Sequence, residues 1–203
     1  MKAFKLIFLL FMIPAMAVAQ DDDFETLLGG RKITLSVFGG PLFEFSSVYD
    51  NFGLSSGGGG AVIFNQILFI GGYGLSLAPV IGRNITLQNV DYENLEINFG
   101  HGGFWFGYIH NFRRMVHFGG SAKFGWGNIS LDDNRLLNPY RDNVLVFTPQ
   151  IEVEVNISRW LKVNLGAGYR IVTGVNEDVF EGRHFNSPQA TLGVYVGWFR
   201  QRN

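Results

Sequence analysis

The chain has 203 residues, 47% hydrophobic and 16% charged, with 27 Gly, 20 Phe, 7 Tyr and 4 Trp and a formal net charge of −1. Disordered chains, coiled coils and basic nucleic-acid binders are excluded, because none is at once apolar, aromatic, glycine-rich and nearly neutral. Cysteine is absent, which removes disulfide frameworks, thiolate metal sites, Cys nucleophiles and Cys-borne lipid anchors.

The first element is an export signal over 1–19. Lys2 and Lys5 precede the apolar run Leu6 to Ile13, and Pro14 is followed by the small-x-small pattern Ala17-Val18-Ala19. The run is too short to span a bilayer as a helix. Residues 20–30, with Asp21 to Asp23 and the pair Gly29-Gly30, read as a solvated periplasmic tail.

From Arg31 onward apolar residues recur at every second position, the period of a strand with two unlike faces. Ile33, Leu35 and Val37 open the first strand, and Gly57 to Phe64 is a glycine-rich second. In the third, Ile67, Phe69, Tyr73, Leu75 and Leu77 form the apolar face against Gly72, Gly74 and Ser76. The fourth sets Leu95, Ile97 and Phe99 against Glu96 and Asn98; a bulge at Gly102-Gly103 then hands the apolar face to Phe104, Phe106 and Tyr108.

The fifth, Val116 to Asn128, opposes Val116, Phe118, Ala122, Phe124 and Trp126 to His117, Ser121 and Lys123. The sixth, Gln150 to Ile157, splits Ile151, Val153 and Val155 from Glu152 and Glu154. Leu161 to Arg170 separates Leu161, Val163, Leu165, Ala167 and Tyr169 from Lys162, Asn164 and Arg170, and Gln189 to Trp198 completes eight strands. The links alternate in length. Asn65-Gln66, His110 to Met115 and Ser158-Arg159 are turns, whereas Glu44 to Ser56, Pro79 to Asn94, Asp132 to Asn143 and Ile171 to Pro188 read as long polar loops. Short links at one end and long ones at the other predict an all-β, eight-stranded antiparallel up-and-down transmembrane β-barrel over 31–199, with a tail at 200–203.

Alternation alone also fits a soluble lipocalin-like barrel, which hides its apolar face. The polar face discriminates: a water-facing surface is normally about a quarter to a third charged, and here Gly, Ser, Asn and Thr dominate, as suits a cramped lumen. Phe112, Trp160 and Trp198 by the turns, and Trp126 and Tyr169 at the other strand ends, predict two aromatic girdles.

The export signal, the eight dyad-patterned strands, the alternation of turns and loops and the final Gly197-Trp198-Phe199 resemble the small outer-membrane β-barrel proteins of the OmpA/OmpX type. Ser158-Arg159-Trp160-Leu161 and Gly166-Ala167-Gly168-Tyr169-Arg170 look like segments of uncharacterised barrels of that superfamily. The resemblance implies residence in the outer membrane of a Gram-negative cell among lipid and lipopolysaccharide, and insertion by the barrel-assembly machinery, which reads a C-terminal strand ending in an aromatic. Phe199, however, has lumen parity and is followed by Arg200 to Asn203.

Glu96, Lys123, Glu152, Glu154, Lys162 and Arg170 have inward parity and form a lumen charge network; the alternative is a polar path for small solutes. Unpaired buried charges cost several kcal/mol, so mutual pairing is the expectation. His101, His110, His117 and His184 do not form a metal-ligand pattern, and neither a metal nor a cofactor is expected. The Gly57 to Gly60 run lacks the Lys-Ser/Thr of a phosphate loop. Asp132-Asp133-Asn134 and Glu177-Asp178 read as hydrated loop tips, the alternative being contact with a divalent cation or with lipopolysaccharide ions, and Arg83, Arg135, Arg141 and Arg183 as loop cations within reach of lipid phosphates. A lipid A-modifying enzyme would need a Ser/His pair; His117 and Ser121, about 13 Å apart along a strand, cannot hydrogen-bond. The expected role is a monomeric, porin-like barrel with a filled polar lumen serving structure, adhesion or protection. A narrow channel and a lipid-modifying enzyme are the alternatives, and no nucleic-acid partner is expected.

Overall fold

The computed structural model describes residues 33–48, 51–78, 80–82, 85–87, 90–92, 95–132, 140–175 and 184–199, with backbone only at 80–96, 131–132 and 140. The expected signal peptide and both tails lie outside these residues, as do Asp133, Asn134, Glu177, Asp178, Arg83, Arg135 and Arg183.

The strands are β1 (Leu35–Val48), β2 (Asn51–Phe64), β3 (Leu68–Leu77), β4 (Val80–Gly82), β5 (Ile85–Leu87), β6 (Val90–Tyr92), β7 (Leu95–His110), β8 (Val116–Asp132), β9 (Tyr140–Asn156), β10 (Leu161–Thr173) and β11 (Ser187–Trp198). Eight of them, β1, β2, β3, β7, β8, β9, β10 and β11, form an antiparallel ring, each paired with its neighbour in sequence and closed by β3 on β7 and β1 on β11. β4 lies along β7, and β5 and β6 make a separate small hairpin. The turn at 65–67 between β2 and β3 has positive φ at both Asn65 (53°) and Gln66 (64°), and the Ile67 N–H donates to the Phe64 carbonyl at 3.0 Å, a primed-type turn whose twist matches that of the flanking strands. Asn65 Oδ1 also accepts the Thr34 N–H at 3.1 Å.

Two expectations about connections are corrected. The described residues between Glu44 and Ser56 belong to β1 and β2, which stay in register from Leu35 opposite Phe64 to Val48 opposite Asn51. The stretch resembles a loop because Glu44, Ser46 and Ser55 line the inner wall, where polar side chains alternate with Phe43 and Phe45. The link from Pro79 to Asn94 holds the three short strands β4, β5 and β6.

The third and fourth strands carry a larger correction. Phe69, Tyr73, Leu75 and Leu77 point inward, while Leu68 and Ile70 face out together with Gly72, Gly74 and Ser76. Ile97 and Phe99 are also inward, and β7 pairs with β8 without a bulge from Glu96–Asp132 to His110–Phe118. The strand does not change parity; the chemistry of its two faces changes. On β8 the outward residues are apolar from Val116 to Trp126 and then polar at Asn128 and Ser130, while the inward residues end in the buried Ile129. On β9, Arg141 and Asn143 face out while Val144 and Val146 are buried, and from Leu145 to Ile157 the outward face is apolar. Val116 to Trp126 covers about 34 Å of strand, or about 25 Å at a tilt of about 40°, the height of a bilayer-facing band. Beyond that band the outer face is polar and the apolar residues turn inward, the arrangement that the hydrophobic effect favours in a wall surrounded by water.

Leu165, 55% exposed, stands near the middle of the band. Leu165→Arg is expected to lower stability in lipid vesicles by about 2–4 kcal/mol, read as a drop in the urea midpoint of unfolding. A change near zero would mean that this face meets water.

Candidate functional site in the barrel interior

A ring of eight strands is just wide enough for side chains to fill, and the interior is stacked with them. From the turn end to the loop end it holds a charge cluster, an aromatic layer, a second charge cluster and an apolar cap.

At the turn end Lys162 and Glu154 pair, and His117 Nε2 meets the same Glu154 oxygen at 2.8 Å. Lys162 Nζ also lies 3.6 Å from the centroid of Phe112 and 4.5 Å from that of Phe199, so the cation is shared between a carboxylate and two ring faces. Asn156 Nδ2 holds the β7–β8 turn by donating to the carbonyls of Phe112 (3.1 Å) and Arg114 (2.7 Å). Phe112, expected in a girdle, is therefore a floor residue of the lumen; its turn bends under the barrel mouth. Trp126, Trp160, Tyr169 and Trp198 are exposed on the outer wall.

Above this floor Trp105, 1% exposed, is surrounded by Phe38, Phe69 and Tyr195 at centroid distances of 5.6, 5.1 and 5.8 Å. Gly107 and Gly193 make the layer possible: a Cβ on either would fall 2.5 Å from the Phe69 ring or 2.4 Å from the Tyr195 oxygen. Trp105 Nε1 donates to Ser121 Oγ (3.1 Å), which donates to Glu152 (2.7 Å). Gln150 Nε2 binds the same Glu152 oxygen, and Thr191 donates to Gln150 at 3.4 Å. The gap bounded by Phe38, Trp105, Tyr195, Glu152 and Glu154 measures only about 10 Å³, about one water.

The second cluster is built on Glu44, fully buried between Lys123 Nζ (3.3 Å) and Arg170 Nη1 (3.4 Å). Arg170 further donates to Ser46 Oγ, Ser187 Oγ and the carbonyls of Ser47 and Phe185. Tyr73 and His101 Nδ1 share a hydrogen bond at 3.2 Å beside it. Phe99, Phe185, Val144, Val146 and Val172 close the stack above.

The expected charge residues are thus divided. Glu154 and Lys162 pair with each other, Lys123 and Arg170 converge on Glu44, and Glu152 is held by neutral donors. Glu96 lies in β7 opposite Asp132, and its side chain is outside the described residues. Glu44 was missed because it falls in the stretch read as a loop; the alternation of Phe43 and Phe45 with Glu44 and Ser46 was the available signal. His117 and Ser121 both face inward but have separate partners, Glu154 and Glu152.

Removing the charge of Glu44 leaves two buried cations facing each other. Glu44→Gln is expected to cost about 3–5 kcal/mol, and Glu44→Gln combined with Lys123→Met to cost less than the sum of the two single changes. Urea midpoints of the four proteins in vesicles measure the coupling; strict additivity would mean that the pair does not interact.

No protein-family model and no curated protein matches the chain. Among solved structures it is similar to the N-terminal β-barrel domain of Pseudomonas aeruginosa OprF, at 10% identity and a TM-score of 0.54, covering 82% of this chain and 99% of that one. It is likewise similar to Neisserial surface protein A, at 12% identity and a TM-score of 0.52, with the same coverage. Identity this low speaks for the fold alone, and the fold is that of the small eight-stranded outer-membrane β-barrels.

Proposed function

We propose that the protein is an integral barrel of a bacterial outer membrane, sealed to solutes, whose role is structural or one of surface interaction such as adhesion or protection. The observation that carries this reading is the stacked interior: two charge clusters, an aromatic layer and an apolar cap leave a gap of about 10 Å³ at the Trp105 level. The apolar outer band supports placement in lipid, since only closed barrels and helices satisfy every backbone group there. The loop end, where the wall is polar outside and apolar inside, projects beyond that band and supports a role at the cell surface. Exposure of loops outside, contact with lipopolysaccharide, insertion by the barrel-assembly machinery after removal of a signal peptide, and a monomeric state belong to the same reading. An enzymatic role is disfavoured because Ser121 and His117 are each committed to a different glutamate within the lumen.

In planar bilayers the folded protein is expected to give a flat current trace. Trp105→Gly, which opens the aromatic layer, is expected to admit small ions. Stepwise conductance by the unaltered chain, sensitive to Glu152→Gln, would overturn the sealed-barrel reading in favour of a channel. Heat-modifiable migration on a detergent gel, with proteolysis of loops on intact cells, tests the location; full solubility without detergent would contradict it.

A further inference from the structure

The outer wall is not evenly convex. A groove of about 920 Å³ crosses it, bordered by Leu68, Phe106, Tyr108 and Ile151. Its bed is the row in which Ala122, opposite Phe106, and Ala167, opposite Ile151, present almost no side chain. The volume lies within the range of about 300–1,000 Å³ typical of ligand sites. Tyr108 also borders a second hollow, of about 380 Å³, between the β2–β3 and β7–β8 turns, with Gln66, His110, Arg113 and Arg114 in its wall. The Tyr108 hydroxyl and His110 Nδ1 share a hydrogen bond at 3.3 Å, and Arg113 Nε donates to Gln66 Oε1 at 3.1 Å, tying the two turns together. The three turns at this end, 65–67, 111–115 and 157–160, contain Arg113, Arg114 and Arg159 and no carboxylate.

An apolar trough leading from a cationic hollow at the edge of the bilayer-facing band matches a molecule with an anionic head and a long hydrocarbon tail. We propose that groove and hollow together bind one glycerophospholipid of the periplasm-facing leaflet. Arg113 and Arg114 hold its phosphodiester, and one acyl chain lies in the groove over Ala122 and Ala167. The assignment rests on the membrane-barrel reading, which places the short turns at the periplasmic face. Guanidinium groups favour phosphate oxygens because their planar donors meet two at once. A trough also surrounds a chain with more contacts than a convex wall can, and dispersion accumulates with contact number. These features separate the site from the lipids that merely coat the barrel.

The full chain, purified in mild detergent and titrated with phosphatidylglycerol, is expected to retain one lipid per protein in native mass spectrometry. Arg113→Gln with Arg114→Gln should weaken that binding at least about tenfold, and Ala167→Phe, which fills the trough, should weaken it comparably. Heat-modifiable migration of each variant checks that the barrel is intact. Unchanged retention by both variants would reduce the lipid to a nonspecific coat and overturn the proposal. Displacement of the lipid by equimolar inorganic phosphate would also overturn it, leaving a site for free phosphate only. A chain that migrates without heat-modifiability would overturn the barrel reading and this site with it, whereas heat-modifiable variants that keep their lipid would overturn the site alone.

Discussion

A ring of eight strands satisfies its backbone hydrogen bonds on itself, and the space it encloses is only as wide as the side chains that must occupy it. Most of the structure follows from that narrowness. A charge placed inside cannot be hydrated in bulk, so it has to find a partner across the lumen. Glu44 answers two cations at once, and Glu154 is shared by Lys162 and His117. Where no countercharge is at hand, Glu152 is held by a hydroxyl and an amide. The same narrowness sets the place of glycine: Gly107 and Gly193 give up side chains so that Phe69 and Tyr195 fit.

The layers of the interior follow the chemistry of the outer wall. Where the outer face is apolar, inward positions carry polar groups; where the outer face turns polar, apolar residues turn inward, as the hydrophobic effect favours wherever a wall meets water. The aromatic layer is the exception to this division. Trp105, Phe38, Phe69 and Tyr195 sit between the charge clusters and separate them, so each cluster is satisfied locally. Edge-to-face contacts of the kind that Trp105 makes with Phe38 and Phe69 contribute about 0.5–1.5 kcal/mol each beyond burial. Such contacts hold the layer together across the lumen.

The C-terminal aromatic illustrates how the turn end is finished. Phe199 stands 6.0 Å from Phe112, both beneath Lys162, so the residue after β11 is drawn into the floor of the lumen while Trp198 stays on the outer wall. Its inward parity, at odds with a terminal lipid-facing aromatic, has a packing explanation.

The sequence by itself determined the ring: strand number, antiparallel order, the turns at Asn65-Gln66 and Ser158-Arg159, and the inward set on β8 to β11, because each is written in local period and local turn chemistry. Lys123, Glu152, Glu154, Lys162 and Arg170 were legible for that reason. Only the tertiary structure decided where the face chemistry inverts, since an apolar residue signals burial in lipid or in a core with equal strength. Ile97, Leu75 and Tyr73 were misplaced on that account. It also decided partners: Glu44, Lys123 and Arg170 come from β1, β8 and β10 and meet only across the closed lumen, a separation of 126 residues between Glu44 and Arg170. Local pattern carries no trace of such a meeting.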